Sequence, residues 1–162
     1  MPVIILDEAF KEALYTRAQH SGRLRAHHCL HQSHQEPVQR LAIALMKNSY
    51  IPPHKHELSH QWEYFHVIDG RIKLITFSGA GQVESIHLLG NDTGAFAVQI
   101  PPNVIHTLVC LSSRAMVFEL KEGPFLETHA KAFPAWSVME DEPVAHETVI
   151  RLENIQPGEF LV

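Results

Sequence analysis

At 162 residues, with 45% hydrophobic and 19% charged side chains, the chain has the size and composition of one globular domain. Such a domain needs no disulfide or metal merely to stay folded. A net charge of −5 and no block of Lys or Arg argue against nucleic acid and anionic membrane as partners. Cys29 and Cys110 are too few for a disulfide framework or a Cys-rich zinc site, and they read as reduced thiols, with Cys110 buried. The 13 histidines equal Lys and Arg combined, and this excess is the first sign of chemistry.

The start, Met1 to Glu8, has no basic n-region and its apolar run ends at Asp7, so no secretory signal is expected. No stretch approaches the roughly 18 apolar residues of a membrane span, and the expectation is a soluble, cytoplasmic protein. Residues 7–20 read as a helix capped by Asp7, with Phe10, Ala13, Leu14 and Ala18 as its apolar stripe and Ser21-Gly22 as its stop. Residues 23–38 are polar and read as loop or irregular. From Arg40 the period becomes two: Leu41, Ile43 and Leu45 alternate with Ala42, Ala44 and Met46. Strands are then predicted over 61–68, 71–77, 82–89, 96–100, 107–111 and 114–121. Turn residues separate them, among them Asp69-Gly70, a strong two-residue hairpin signal. Short strands with no helices between them predict an all-β antiparallel sandwich or barrel. After Gly123-Pro124, the residues Phe133, Trp136 and Val149 are expected to pack back on the barrel as a covering segment.

The informative stretch is Pro52-Pro53-His54-Lys55-His56, followed by Glu63. Residues two apart on a strand share a face, so His54 and His56 can point inward with Lys55 outward. Glu63 shares a face with Phe65 and Val67, and a carboxylate on an apolar inward face must be paired, protonated or metal-bound. His106 shares a face with Leu108 and Cys110. Three imidazoles and one carboxylate suit a single divalent ion of Fe, Mn, Ni, Zn or Cu. In an octahedral site, two positions would remain for water, oxygen or a chelating ligand.

His54-x-His56, Glu63 and Gly70 resemble the first cupin motif, with six residues between the second His and the Glu in place of three or four. Gly94, Pro101-x-Asn103-x-x-His106 resembles the second. Asn103 stands where cupins usually have Gly, and Asn tolerates the positive φ of that turn. Cys110 stands where many cupins carry Asn. The surrounding segments Arg23-Leu24-Arg25, Leu30-His31, Pro37 to Arg40, Ser49-Tyr50-Ile51, Ile100-Pro101-Pro102 and Gly123-Pro124-Phe125 are similar to the WbuC family of cupin-fold metalloproteins over roughly residues 5–137.

That resemblance implies a single cupin domain over 1–162: an N-terminal helical or irregular extension (1–39), a small jelly-roll-like barrel (40–122) and a C-terminal segment (123–162). It implies one metal ion on His54, His56, Glu63 and His106, and an association with surface-polysaccharide metabolism. It also suggests that the segment of His31 and Arg40 lies against the barrel as part of a substrate pocket, with Tyr50 and Gln99 as weaker pocket candidates; Arg40 could hold a carboxylate or phosphate. His60 reads as a solvated residue at the cavity mouth. His20, His27, His28, His34, His66, His87, His129 and His146 read as structural or solvated, and Trp62, Trp136 and Phe133 as core or dimer contacts.

The functional expectation is an enzyme, or former enzyme, acting on a small sugar-derived ligand such as a sugar nucleotide, by isomerase or epimerase-like or oxygen-dependent chemistry. A base beside the metal would come from His31, Tyr50 or His60. The alternative is a non-catalytic metal-dependent binding or sensing protein. A metal-free epimerase of similar fold ranks lower because all four ligands are kept, and a structural zinc is not required by a domain of this size. A homodimer is expected by analogy alone.

Overall fold

A computed structural model describes residues 3–162; Met1 and Pro2, part of the start read above for a secretory signal, lie outside the described residues. Helix α1 spans Glu8–Gln19, and the Asp7 carboxylate accepts from Phe10 N–H at 2.9 Å as its cap. Its buried face is Leu14, Tyr15 and Ala18, whereas Ala13 faces solvent. Tyr15 takes the place expected of Ala13 because its hydroxyl has a partner: it donates to Asp69 Oδ2 at 2.8 Å, with the Arg114 guanidinium 4.1 Å over its ring.

Eight strands follow: β1 Arg25–Cys29, β2 Val38–Met46, β3 Glu63–Asp69, β4 Arg71–Phe77, β5 Val83–Gly90, β6 Ala97–Ile100, β7 Ile105–Cys110 and β8 Arg114–Glu122. They form two antiparallel sheets, ordered β1-β2-β8-β3-β6 and β5-β4-β7. The sheets face each other but are not joined into a closed barrel by a continuous hydrogen-bonded ladder. Helix α2, Ala145–Asn154, lies in the C-terminal segment.

The alternation in β2 sorts two kinds of core. Leu41, Ile43 and Leu45 point between the sheets, where they meet Phe65, Val67, Leu74, Leu108 and Val117. Ala42 and Ala44 point the other way, and their small size lets α1 approach the sheet through Leu14, Tyr15 and Ala18. On the opposite side, Val149, Leu152 and Ile155 at α2 cover Ile75, Phe77 and Val109 of the three-stranded sheet. The layers therefore run helix, sheet, sheet, helix, which matches the expected covering role of the C-terminal segment. Trp136 stacks near Phe77 at 5.4 Å and Val149 is buried, while Phe133 stays partly exposed.

Two expectations are corrected. Residues 25–29 are strand β1, paired with β2 from Arg25↔Leu45 to Cys29↔Leu41, and are not irregular. The polar side chains that hid this strand line a cavity, where Arg25 is buried and His27 and Cys29 still reach solvent, as described below. Asp69-Gly70 does not close a hairpin, because β3 pairs with β6 and β8 while β4 pairs with β5 and β7. The turn instead carries the chain from one sheet to the other. Gly70 has φ +75°, and a Cβ there would overlap the Arg114 carbonyl oxygen, while one on Gly90 would overlap the Gly70 carbonyl.

The C-terminal helix is tied down by a buried cation. Lys73, 4% exposed on β4, donates to the carbonyls of Leu152, Glu153 and Ile155 at 2.9, 3.0 and 3.0 Å. These carbonyls belong to the end of α2, where free acceptors and the negative end of the helix dipole favour a positive group. Replacing Lys73 by Met should leave those acceptors unpaired and cost about 2–3 kcal/mol in denaturant unfolding. Gly70→Ala should destabilise by about 1–3 kcal/mol or more, from the positive φ and the overlap together. An unchanged unfolding midpoint in either variant would contradict its assigned role.

Candidate metal centre and cavity

The segment Pro52 to His56 runs extended along the rim between the two sheets. His54 and His106 exchange backbone hydrogen bonds, 3.1 Å from His54 N–H to His106 C=O and 2.8 Å in return. This pairing sets the two imidazoles side by side, with ring centroids 4.6 Å apart. Lys55 turns outward to Glu57, and His56 turns back inward. The turn before β7 helps fix His56: Asn103 has φ +67°, and its N–H donates to the His56 carbonyl at 2.7 Å. Asn in place of the usual Gly therefore supports the turn, as expected.

All four residues read as ligands come together. His54, His56, Glu63 and His106 are each 6% exposed or less, and one donor atom from each lies within 4.8 Å of the others. The orientation of the rings is set by what their other nitrogens do. The Nδ1 of His54 lies 2.9 Å from the Pro52 carbonyl, that of His56 2.6 Å from the Ala130 carbonyl and that of His106 2.9 Å from the Val104 carbonyl. A carbonyl only accepts, so each Nδ1 carries a proton, and in the neutral rings each Nε2 is left with a lone pair.

Those lone pairs converge on a carboxylate. His56 Nε2 and His106 Nε2 stand 3.0 and 3.1 Å from the same oxygen, Glu63 Oε2. His56 Nε2 and Glu63 Oε2 are both buried and lack a well-directed hydrogen bond. Acceptors at this separation repel unless a proton or a cation sits among them. The donor set, three imidazoles and one carboxylate, is that of a divalent transition ion, and these residues could hold one. Burial pulls against ionisation of Glu63; a positive charge among the Nε2 atoms, a proton on His106 or His56 or a bound cation, would hold its carboxyl well below the usual range. Burial, reinforced by the charge of Lys131, pushes His54 well below the usual histidine value, so its neutral, ligating form is favoured.

Beside this cluster lies a cavity of about 290 Å³. The alternate residues Arg23, Arg25, His27, Cys29 and His31 along and around β1 face it, as do Glu119 and Lys121 of β8. Apolar lining comes from Leu41, Ile43, Phe65 and Leu108, and the ligands His54, Glu63 and His106 also line it. Burial and the charges of Arg25 and Lys131 push His27 down to about 4, so it is neutral in the folded protein. Arg25 is 5% exposed and shares the Glu140 carboxylate with Arg23.

Among the pocket residues read from sequence, His31 lines the cavity. Arg40 does not: its guanidinium binds the Glu36 carboxylate at 2.5 Å, and its backbone holds the His31 ring. Tyr50 is buried in the α2-side core, where its hydroxyl donates to the Val138 carbonyl at 2.7 Å. Gln99 is exposed on β6, the edge strand of its sheet. His60 lies in the loop before β3 and does not line the cavity. Arg25, Lys121 and Lys131 line it without having been singled out from sequence, and so do His27 and His34, which the sequence reading took as structural or solvated. For Arg25 and His27 the signal was present as a period of two across 25–29; for Lys131 there was none.

No curated protein matches the sequence. Among solved structures, a cupin 2 conserved barrel domain protein from Rhodopseudomonas palustris is similar at 11% identity and TM-score 0.53, covering 69% of this chain and 68% of that one. Protein SO0799 from Shewanella oneidensis is similar at 11% identity and TM-score 0.54, covering 66% and 72% respectively. SPY1581, a protein of unknown function from Streptococcus pyogenes, is similar at 11% identity and TM-score 0.50, covering 76% and 90%. At these identities the likeness is one of fold, and the fold is that of the cupins. A family model matches residues 6–89, from α1 through β5, which takes in His54, His56 and Glu63 but ends before His106. That match covers more than half of the chain, and the protein belongs to the family described as Domain of unknown function (DUF6016).

Proposed function

We propose that this protein is a mononuclear metal cupin of the WbuC type, which presents its ion to a small oxygen-bearing ligand in the adjoining cavity. The observation that carries the reading is the set of three Nδ1 atoms bound to backbone carbonyls, which turns three Nε2 lone pairs toward one buried carboxylate. Such carbonyl partners fix the tautomer and raise the basicity of a ligating imidazole. When bound, a divalent ion here would act as a Lewis acid toward ligand oxygens.

The chain's own residues supply the rest. His54, His56, Glu63 and His106 hold the ion beside the cavity, and the apolar side chains of Leu41, Ile43 and Phe65 restrict water around the ligand. His31, which lines the cavity, is the candidate among those read from sequence for holding or moving a proton on the ligand; Tyr50 is committed elsewhere through its hydroxyl. A sugar-derived ligand, a place in polysaccharide metabolism, a cytoplasmic location and a homodimer rest on the resemblance to WbuC. Ligand binding or sensing without turnover is the second reading; it is favoured by the four cations Arg23, Arg25, Lys121 and Lys131 in the lining, which can hold a ligand without moving a proton.

Elemental analysis of protein purified without an affinity tag should find one Fe, Mn, Ni, Zn or Cu per chain. His54→Ala combined with His56→Ala should abolish that content while the circular dichroism and unfolding midpoint stay those of a folded protein. Glu63→Gln, which keeps the shape but removes the charge, should weaken metal binding by about 100-fold or more. Unchanged metal content in the double variant would show that the ion, if any, sits elsewhere. Turnover and sensing separate by incubating metal-loaded protein with sugars and sugar nucleotides: oxygen consumption or proton exchange at carbon marks an enzyme, and saturable binding with neither marks a sensor.

A further inference from the structure

The lining of the cavity has an excess of positive charge. Arg23 and Arg25 share one carboxylate, Glu140, while Lys121 has Glu119 to itself at 2.8 Å. Lys131, also in the lining, has no carboxylate within 4.0 Å among the described residues. Lys131 lines the cavity and also reaches solvent, within electrostatic range of His54, Glu63 and Glu119. Four cations thus face Glu63, Glu119 and Glu140, and a divalent ion would add two further positive charges. Arg23 and Lys131 reach solvent while Arg25 is buried, so the excess gives the cavity a positive field that an anion would use and a neutral ligand would not.

A directed donor adds to the charge. The Arg40 carbonyl accepts from Leu30 N–H at 2.8 Å, so the peptide edge of Arg40 faces the β1 side of β2. Its N–H on that same edge donates to His31 Nδ1 at 3.0 Å. The Arg40 carbonyl oxygen also stands 3.1 Å from Nδ1, but it is already filled by Leu30 N–H, whereas the Arg40 N–H has Nδ1 as its acceptor; on that balance Nδ1 accepts and the proton of the neutral ring is assigned to Nε2. This Nε2–H belongs to a side chain only 7% exposed, lines the cavity, and has no hydrogen-bond partner. A buried donor without a partner is costly, and a cavity is where its acceptor would come from.

The size of the space sets the last constraint. About 290 Å³ lies at the bottom of the range of small-ligand sites, roughly 300–1,000 Å³. A whole sugar nucleotide exceeds it, while a molecule the size of a sugar acid does not.

We propose that this cavity takes a small anion, a carboxylate or a phosphate monoester with neighbouring hydroxyl or oxo oxygens, whose anionic group is received by the Lys131 wall and the Nε2–H of His31. The neighbouring oxygens would face the metal cluster, and only that half of the proposal rests on the metal-cupin reading.

The test is calorimetric binding of gluconate, its neutral amide gluconamide, glycerol phosphate and glycerol to the protein, metal-free and metal-loaded. At least one anion should bind about tenfold or more tighter than its neutral counterpart, and the pair that shows the preference distinguishes carboxylate from phosphate. Lys131→Met and His31→Gln should each reduce that preference by about tenfold, with metal content and unfolding midpoint unchanged; the lysine variant guards against a folding defect at His31. Equal binding of charged and neutral probes, no binding of either anion, or a preference that survives both substitutions would overturn the proposal. Loss of metal uptake with the anion preference intact in the metal-free protein would overturn the metal reading and leave this one standing.

Discussion

Three imidazoles and a carboxylate buried within a few ångströms of one another are an unstable combination unless each lone pair and charge has somewhere to go. Here the backbone settles half of that account. Carbonyls of Pro52, Val104 and Ala130 take the Nδ1 protons, so the remaining nitrogens meet Glu63 with lone pairs rather than donors. The arrangement is intelligible as a grip on a cation and difficult to understand as an ordinary polar cluster, which would alternate donors with acceptors. The fold provides the three carbonyls from three unconnected places: the loop entering the rim, the turn before β7 and the segment after β8.

The surrounding architecture keeps this grip in a dry, bounded space. Two sheets face each other with aliphatic side chains between them, and a helix covers the outer face of each. The Asp69-Gly70 crossing hands the chain from one sheet to the other directly after the strand that carries Glu63. Lys73 fixes the end of α2 against β4, in the same sheet as the strand that carries His106. The cationic face of β1 and β8 then gives the space a sign as well as a shape.

Much of this was legible in the sequence because period two carries meaning on a strand. Glu63 with Phe65 and Val67, and His106 with Leu108 and Cys110, do share the inner face, and His54 and His56 do turn inward around Lys55. The same rule was obscured in β1, where Arg25, His27 and Cys29 alternate with Ala26 and His28: the inward residues are polar because they face a cavity, and a hydrophobic pattern cannot announce that. Asp69-Gly70 misled for another reason. Positive φ at a glycine marks a sharp change of direction, but whether the next strand pairs with the last depends on the partners each finds elsewhere. Tyr50 and Gln99 were placed near the pocket by resemblance, and side-chain packing puts one in the helix-side core and the other on an open edge. The covering role of the C-terminal segment could be read from its aromatics, but its helix and its lysine could not, since their positions are fixed by contacts with loops far away in sequence.

The stretch around residues 129–132 joins two duties. Ala130 C=O orients His56, Ala132 pairs with Lys55, His129 C=O accepts from Gln61, and Lys131 lines both the cavity and a neighbouring cleft. The orientation of His56 and the position of a cationic cavity residue therefore hang from the same four residues, so that a shift of this short segment would be felt at both.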